Sequence, residues 1–269
     1  MSGSTPKVFK ATDPDAYEQF MGRWSTRLAD PFLDFAAIPQ GGRVLDVGCG
    51  TGVITLALAR RGCVAVGTDA SDSYLDGARR LRSHEAVVYE QGDARNLHYP
   101  TASFDGCVST LAIDVVPEPE KAAAEMRRVT RPGGIVACGT FDFWGGLSAS
   151  ALVLDTGATI DEELRTVRNY LRSRPLFWPD GQAQLWRKIG LIDVVEVPIV
   201  LSFDYQTFDD YWTSFATGPS GGAQCMQAMP AERRGEIRRL VSFGYLAGMP
   251  DGPRSFAAIV RSVRGVVSG

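Results

Sequence analysis

Three glycines stand at alternate positions in the stretch "RVLDVGCGTGVITLALARRG": Gly48, Gly50 and Gly52. They separate a short apolar run from an amphipathic one, the pattern of a buried strand passing into a helix. Glycine is favoured where φ must be positive or where something comes close to the main chain. Such a loop can cradle a ligand, or it can be a tight strand–helix turn and nothing more. Two carboxylates follow at comparable places. Asp69, in "GTDAS", lies about twenty residues past the first glycine, where a carboxylate can accept two hydrogen bonds from a ribose diol. It could equally help Ser71 to start the next helix. Asp93, in "QGDA", could accept an adenine amino hydrogen while Ala94 offers its backbone N–H to the ring; a plain Gly–Asp turn is the other reading. The G-x-G-x-G spacing departs from the G-x-G-x-x-G of a dinucleotide loop, whose helix end faces a pyrophosphate.

These residues need a scaffold that brings strand ends together, and the chain reads as one. "RVLDV", "VAVGTD", "AVVYEQGD", "FDGCVSTLAI" and "GIVACGTFDF" are expected strands, the last following a turn at "RPGG". Between them lie expected helices over Thr51–Arg60, over "SDSYLDGARRLRS" with Ser71 as its cap, and over Pro119–Val129. Strands alternating with helices of this length predict a parallel sheet covered on both faces. In such sheets ligands bind at the carboxyl ends of the strands, where strand order reverses.

Ahead of this rhythm, residues 1 to about 12 look loose. "TDPDAYEQFMGRWSTRL" then reads as a helix, with Thr12 or Asp13 as cap and Pro14 where its missing N–H costs nothing. A second short helix is expected over Pro31–Ala37, broken by "PQGG". After Trp144 the rhythm changes. Helical insertions are expected at about 145–178 and 207–246, with a helix at "GQAQLWRKIG" and strands at "IDVVEVPIVLSF" and "SFAAIVRSVRG". The expected organisation is an N-terminal helical lid segment over 1–40, a ligand-binding core over 41–145, and the rest of the sheet with its insertions over 146–269.

Composition bounds the function. The chain has 269 residues, 45% hydrophobic and 22% charged, with a formal net charge of -3, and so lacks the basic excess of a typical nucleic-acid binder. A basic run at Arg233, Arg234, Arg238 and Arg239 has helical spacing and reads as a solvated helix face. Five scattered cysteines contain no C-x-x-C pair and suit a reducing cytoplasm. The N-terminus lacks the apolar stretch of a signal peptide, and no apolar run is long enough to span a membrane.

As an ordered set, "VLDVGCGTG", "GTDAS", "QGDA", "FDGCVSTLAIDVVPEPEKAAAEMRRVTRPGG" and the strand after them resemble the class I, Rossmann-like S-adenosylmethionine-dependent methyltransferases, over roughly residues 43–145. "AYEQFMGRWS" also looks like the helix preceding the sheet in a small-molecule subgroup of that family. The resemblance implies an α/β fold: a three-layer, doubly wound, seven-stranded sheet, mostly parallel with its last strand antiparallel. It implies that Gly48, Gly50 and Gly52 run along the methionine half of S-adenosylmethionine, with Asp46 near its amino end. Asp69 and its neighbour Ala70 would meet the ribose, Asp93 and Ala94 the adenine, and Thr110 and Leu111 the methionine and the methyl group. Tyr17 and Arg23 would belong to a lid over the carboxylate end. The charges agree: this cofactor carries a sulfonium and an ammonium but no phosphate, and the glycine loop has three aspartates around it and no Lys or Arg in it.

Methyl transfer needs a nucleophile held in line with the carbon–sulfur bond, and holding that geometry can supply roughly 7–11 kcal/mol of the barrier. His84 and His98 are the only histidines, and both read as surface residues. Asp114, just past the fourth expected strand, stands where many relatives carry a histidine or another polar residue. It could orient the substrate or accept its proton, or it could be a loop residue entering a helix. Trp144, Phe177, Trp178, Tyr211, Trp212 and Phe215 would line a pocket for an apolar or aromatic small molecule, or pack the insertions onto the sheet. No metal-ligand cluster is visible. The expectation is methylation of a small molecule, with oxygen narrowly preferred as acceptor, with no nucleic-acid or membrane partner, and with a lid that could support a homodimer. Three rivals stay open: the same cofactor and fold used for an elimination, rearrangement or hydroxylation, a nicotinamide-dependent oxidoreductase, and a non-catalytic binding protein.

Overall fold

A computed structural model describes residues 13–218 and 220–269. The expected loose start and the candidate cap Thr12 lie outside them. Two compact units form. Of the described residues, one holds those from Asp13 to Phe141 with Pro175–Ile199 and Val260–Gly269; the other holds Asp142–Arg174 and Val200–Ile259.

Seven strands form one sheet: β1 (Arg43–Val47), β2 (Val64–Asp69), β3 (Val87–Gln91), β4 (Phe104–Thr110), β5 (Thr130–Phe141), β6 (Leu191–Tyr205) and β7 (Arg254–Val267), in the order β3-β2-β1-β4-β5-β7-β6. β1 pairs in parallel with both β2 and β4, so strand order reverses at β1, the strand that ends in the glycine loop. β7 lies antiparallel to β5, as the resemblance implied. β1 is buried on both faces after Arg43, which is why it reads as an unbroken apolar run apart from Asp46. Leu45, Val47, Cys107, Val136 and Cys138 pack with Met126 of α5 (Pro119–Val129) and Trp186 of α8 (Gly181–Lys188). Burying each large apolar side chain there contributes about 1.5–3 kcal/mol. The Trp186 indole N–H donates to the Val136 carbonyl at 2.9 Å, so the largest core side chain carries no unsatisfied donor.

At the N-terminus, α1 (Pro14–Tyr17) is capped by the Asp13 carboxylate, which accepts from the N–H groups of Asp15 and Ala16. A π-helical turn over Glu18–Gly22 leads into α2 (Arg23–Ala36). The separate helix expected from Pro31 does not form; Pro31 sits inside α2. Trp24, Leu28, Phe32 and Ala36 keep one buried stripe across the proline, and that burial offsets the lost hydrogen bond. The turn expected at "RPGG" is a bulge within β5. The register runs from Phe104↔Thr130 directly to Gly106↔Ile135, and Gly133 has φ 75°.

α3 (Val53–Arg60) follows the glycine loop, and α4 (Asp72–Leu81) follows β2 with Ser71 as its cap. The second unit carries α6 (Ser148–Ile160), α7 (Glu162–Ser173), α9 (Phe208–Ala216), α10 (Gly221–Ala228) and α11 (Ala231–Leu246). Its interior is aromatic: the Tyr211 ring lies 5.1 Å from Tyr205, 5.1 Å from Tyr245 and 5.3 Å from Phe256. The Tyr211 hydroxyl donates to the Ala149 carbonyl at 2.7 Å. Tyr211 is therefore a core residue, with a partner for its polar tip. Trp212 and Phe177 are buried as well, whereas Trp144 and Trp178 are exposed. The basic run lies on α11, where Arg233 pairs with Asp161, Arg238 with Asp209, and Arg234 donates to the Met226 carbonyl.

Among the described residues, no helix is long and apolar enough to cross a membrane.

Candidate functional site

The glycine loop leaves β1 with φ of 71° at Gly48, 53° at Gly50 and 86° at Gly52. A side chain in that region costs about 1–2 kcal/mol, so the backbone alone asks for glycine at all three positions. Space asks for it at two. A Cβ on Gly48 would collide with the Cβ of Ala112, and one on Gly52 with the hydroxyl of Tyr89. What approaches the main chain there is the protein itself. Gly50 differs: the nearest atom to a Cβ on it would be the Tyr17 hydroxyl, at 3.8 Å. The crease over Gly50 is thus open to a ligand and faced by the end of α1.

The backbone holds this shape. Gly48 and Cys49 both donate to the Thr68 carbonyl, at 2.8 and 3.0 Å, and Gly50 donates to Asp69 Oδ2 at 2.9 Å. Asp69 Oδ1 accepts from the Ser71 N–H, also at 2.9 Å. Asp69 therefore helps to start α4, as one of its sequence readings had it, and it also braces the loop, which the sequence did not announce. Burial pushes its carboxyl above the usual range, against the three backbone N–H groups that favour the charge.

Asp46 is the buried carboxylate of this loop. It is buried near the end of β1, and its Oδ2 accepts from Thr55 Oγ1 of α3 at 2.6 Å. Its Oδ1 is buried with no hydrogen-bond partner. Burial pushes the Asp46 pKa up to about 7; the Thr55 hydrogen bond opposes that shift and the Asp69 charge adds to it. The same two carboxylates raise the Cys49 thiol, after its burial. Asp69 likewise raises the Tyr17 hydroxyl, although burial is again the larger cause. The crease has a negative potential and a buried oxygen waiting for a donor, which fits a cation. The nearby cation Arg82 is engaged by Glu18 and by the Thr51 carbonyl, and its guanidinium is thus not free to receive a phosphate.

Other candidates fall around this centre. Thr110 ends β4, and Leu111 adopts φ 55° while donating to the Gly139 carbonyl at 2.7 Å. A leucine held there is strained, and the strain turns the chain so that Ala112 seats against Gly48. Asp114, 6% exposed, lies two residues further on, close enough to Cys138 for its charge to raise that thiol. Asp93 is exposed and clasped by its own neighbour: Arg95 donates to it from the backbone at 2.9 Å and from Nη2 at 2.7 Å. Those contacts hold the Asp93 carboxyl below its usual range. Ala70 is exposed and Ala94 half-buried. Tyr17 packs at a tilt against Tyr74, ring centres 5.0 Å apart. The Arg23 guanidinium lies 4.3 Å from the centre of the Trp24 ring. His84 and His98 are exposed. Residues that sequence reasoning missed are Thr55, Tyr89, Ala112, Glu18 and Arg82. Thr55 alone had a signal, standing one turn into the helix that faces Asp46.

Residues 45–138 match the family model described as a methyltransferase domain. A phosphatidylethanolamine N-methyltransferase of Cereibacter sphaeroides is 41% identical over 101 residues, 36% of this chain and 49% of that protein. An S-adenosyl-L-methionine-dependent Diels-Alderase, iccD, of Talaromyces variabilis is 33% identical over 114 residues, 40% of this chain and 39% of that protein. The chain thus spans less than half the length of both relatives. Phosphoethanolamine N-methyltransferase 2 of Haemonchus contortus, solved with phosphomonomethylethanolamine and S-adenosylhomocysteine, superposes with a TM-score of 0.58 at 18% identity, covering 95% of this chain and 57% of that one. The resemblance read from the sequence holds over residues 45–138, and the fold is that of the Rossmann-like S-adenosylmethionine-dependent methyltransferases. The cofactor of that class is the cation-bearing adenosine that the acidic crease fits.

Proposed function

We propose that the chain is an S-adenosylmethionine-dependent methyltransferase acting on a small, apolar or aromatic molecule. The observation that carries this reading is the crease itself: open main chain at Gly50, flanked by Asp69 and by a buried Asp46 whose Oδ1 lacks a donor. When bound, the cofactor supplies an electrophilic methyl group on a sulfonium. Asp46 would receive its ammonium, Asp69 beside Ala70 its ribose diol, and Gly48–Gly52 its methionine half. Thr110 and Leu111 would border the methionine and the methyl group. Asp93 with Ala94 would take the adenine, Asp93 sharing its carboxylate with Arg95. Tyr17 and Arg23 would close the crease from the N-terminal segment, which extends to about residue 40. Asp114 would orient the acceptor group and take its proton; oxygen is the preferred acceptor atom. The insertions after residue 145 are the part of the chain left to select the acceptor. Free thiols at Cys49, Cys63, Cys107, Cys138 and Cys225 support a reducing, cytoplasmic setting.

The test is binding followed by stoichiometry. Calorimetry should show S-adenosylmethionine binding at micromolar concentration and no binding of NAD. With an acceptor found by screening phenolic and other apolar compounds, one S-adenosylhomocysteine should appear per product.

The Diels-Alderase relative favours a second reading, in which the cofactor stays intact and its positive charge assists a rearrangement or elimination. Product formed without S-adenosylhomocysteine would select it.

A further inference from the structure

The N-terminal segment meets α4 and the residue that ends it, Arg82, through four contacts that differ in burial. Pro14 fills the space over Gly77, where a Cβ would come within 2.7 Å of it. Asp15 pairs with Arg80 at 2.6 Å, both side chains well exposed. Tyr17 lies against Tyr74. Glu18 takes Arg82 in a two-point grip, Nη1 to Oε1 at 3.0 Å and Nη2 to Oε2 at 2.8 Å. This last pair is the sheltered one, with side chains only 14% and 24% exposed. Exposed pairs such as Asp15–Arg80 hold little, whereas a sheltered two-point pair holds more.

Glu18 and Arg82 also reach the glycine loop. Arg82 Nη1 donates to the Thr51 carbonyl at 3.0 Å, and Thr51 Oγ1 donates to Glu18 Oε1 at 2.5 Å. Thr51 stands between Gly50 and Gly52 and is buried. Gly22 leaves the room this needs: a Cβ there would come within 2.5 Å of Glu18 Oε2. The π-helical turn that starts at Glu18 brings Gly22 back over that carboxylate. Tyr17, the residue before Glu18, is the one whose hydroxyl overhangs Gly50.

We propose that Glu18 and Arg82 are positioning residues, a clasp that fixes Tyr17 over the crease and sets how fast the adenosyl ligand enters and leaves. This rests on the reading of the crease as the cofactor site. The clasp is made of protein groups alone, so it closes with or without ligand. Weakening it therefore speeds both directions and leaves affinity nearly unchanged, whereas damage to the site itself would lower affinity.

The test is stopped-flow exchange of S-adenosylhomocysteine on the whole chain. Glu18→Gln keeps the shape and loses the charge; Arg82→Lys keeps the charge and loses the two-point grip. Each is expected to raise association and dissociation rates together, about tenfold, the scale of one charge-assisted hydrogen bond, with Kd changed less than about threefold. In a Tyr17→Ala background Glu18→Gln should add nothing, because it acts through Tyr17. Unchanged rates in both variants, affinity lost in proportion to dissociation, or independent effects of Glu18→Gln and Tyr17→Ala would each overturn the clasp alone. A wild-type protein that binds no S-adenosylhomocysteine would overturn the cofactor reading, and the clasp with it.

Discussion

Asp46 should make cofactor binding depend on pH in a way that one substitution removes. In the free protein burial pushes its carboxyl up to about 7, with the Asp69 charge adding to the shift. A cationic ligand selects the ionised form, so apparent Kd rises by the ratio of total to ionised carboxyl. That ratio is about two at pH 7 and about thirty near pH 5.5, a loss of affinity of about fifteenfold across a range where the ligand's amino group stays protonated. Asp46→Asn should bind weakly and with a flat profile. Stability should move in the opposite sense. A carboxyl whose folded pKa is raised favours the folded state below its unfolded pKa, and that contribution is lost as pH rises through about 7. Asp46→Asn should therefore stabilise the free protein near pH 8, by on the order of 1–3 kcal/mol and visible as a higher melting temperature, with the gain shrinking steadily as pH falls towards 4. Equilibrium binding of S-adenosylhomocysteine across this range, with thermal denaturation of both proteins, reads both effects. A wild-type affinity flat between pH 5.5 and 7, or the same slope in Asp46→Asn, would refute the assignment.

The loop glycines should separate by cause. Gly50→Ala finds open space and should cost about 1–2 kcal/mol of stability while blocking the cofactor, so calorimetry loses binding while circular dichroism is unchanged and melting falls by only a few degrees. Gly52→Ala meets both the wrong backbone region and the Tyr89 hydroxyl, and should destabilise by more than 2 kcal/mol, visible as a lower denaturation midpoint. Asp114→Asn should leave cofactor affinity within about twofold and slow single-turnover methylation by about 10²–10⁴, the range for losing a general base. An unchanged single-turnover rate would remove Asp114 from the chemistry.

Much of this arrangement is local, and local features are legible. The run of alternate glycines, the Asp69–Ser71 turn and the Ser71 cap each involve residues within a few positions of one another, and the strand–helix rhythm fixes the parallel order around β1. Pro31 misled because its local rule is strong, yet the buried stripe from Trp24 to Ala36 outweighs it. The reason for glycine at two loop positions was hidden for another cause. Tyr89 and Ala112 reach Gly52 and Gly48 only once β3 and the end of β4 are in place, and no spacing announces them. Glu18 and Arg82 are 64 residues apart, so their pairing leaves no periodic trace. Tyr211 shows the limit of composition: an aromatic residue in an insertion serves a pocket or a core equally well until its neighbours are known, and here Ala149 and the rings of Tyr205, Phe208, Phe215, Tyr245 and Phe256 enclose it.

A crystal structure with S-adenosylhomocysteine bound tests the central claim most directly. The account predicts the ligand's amino group on the Asp46 side of the loop, its ribose hydroxyls on Asp69 and its chain lying over Gly50. A ligand lodged away from Gly48–Gly52, or a crease that instead takes the pyrophosphate of a dinucleotide, would contradict it.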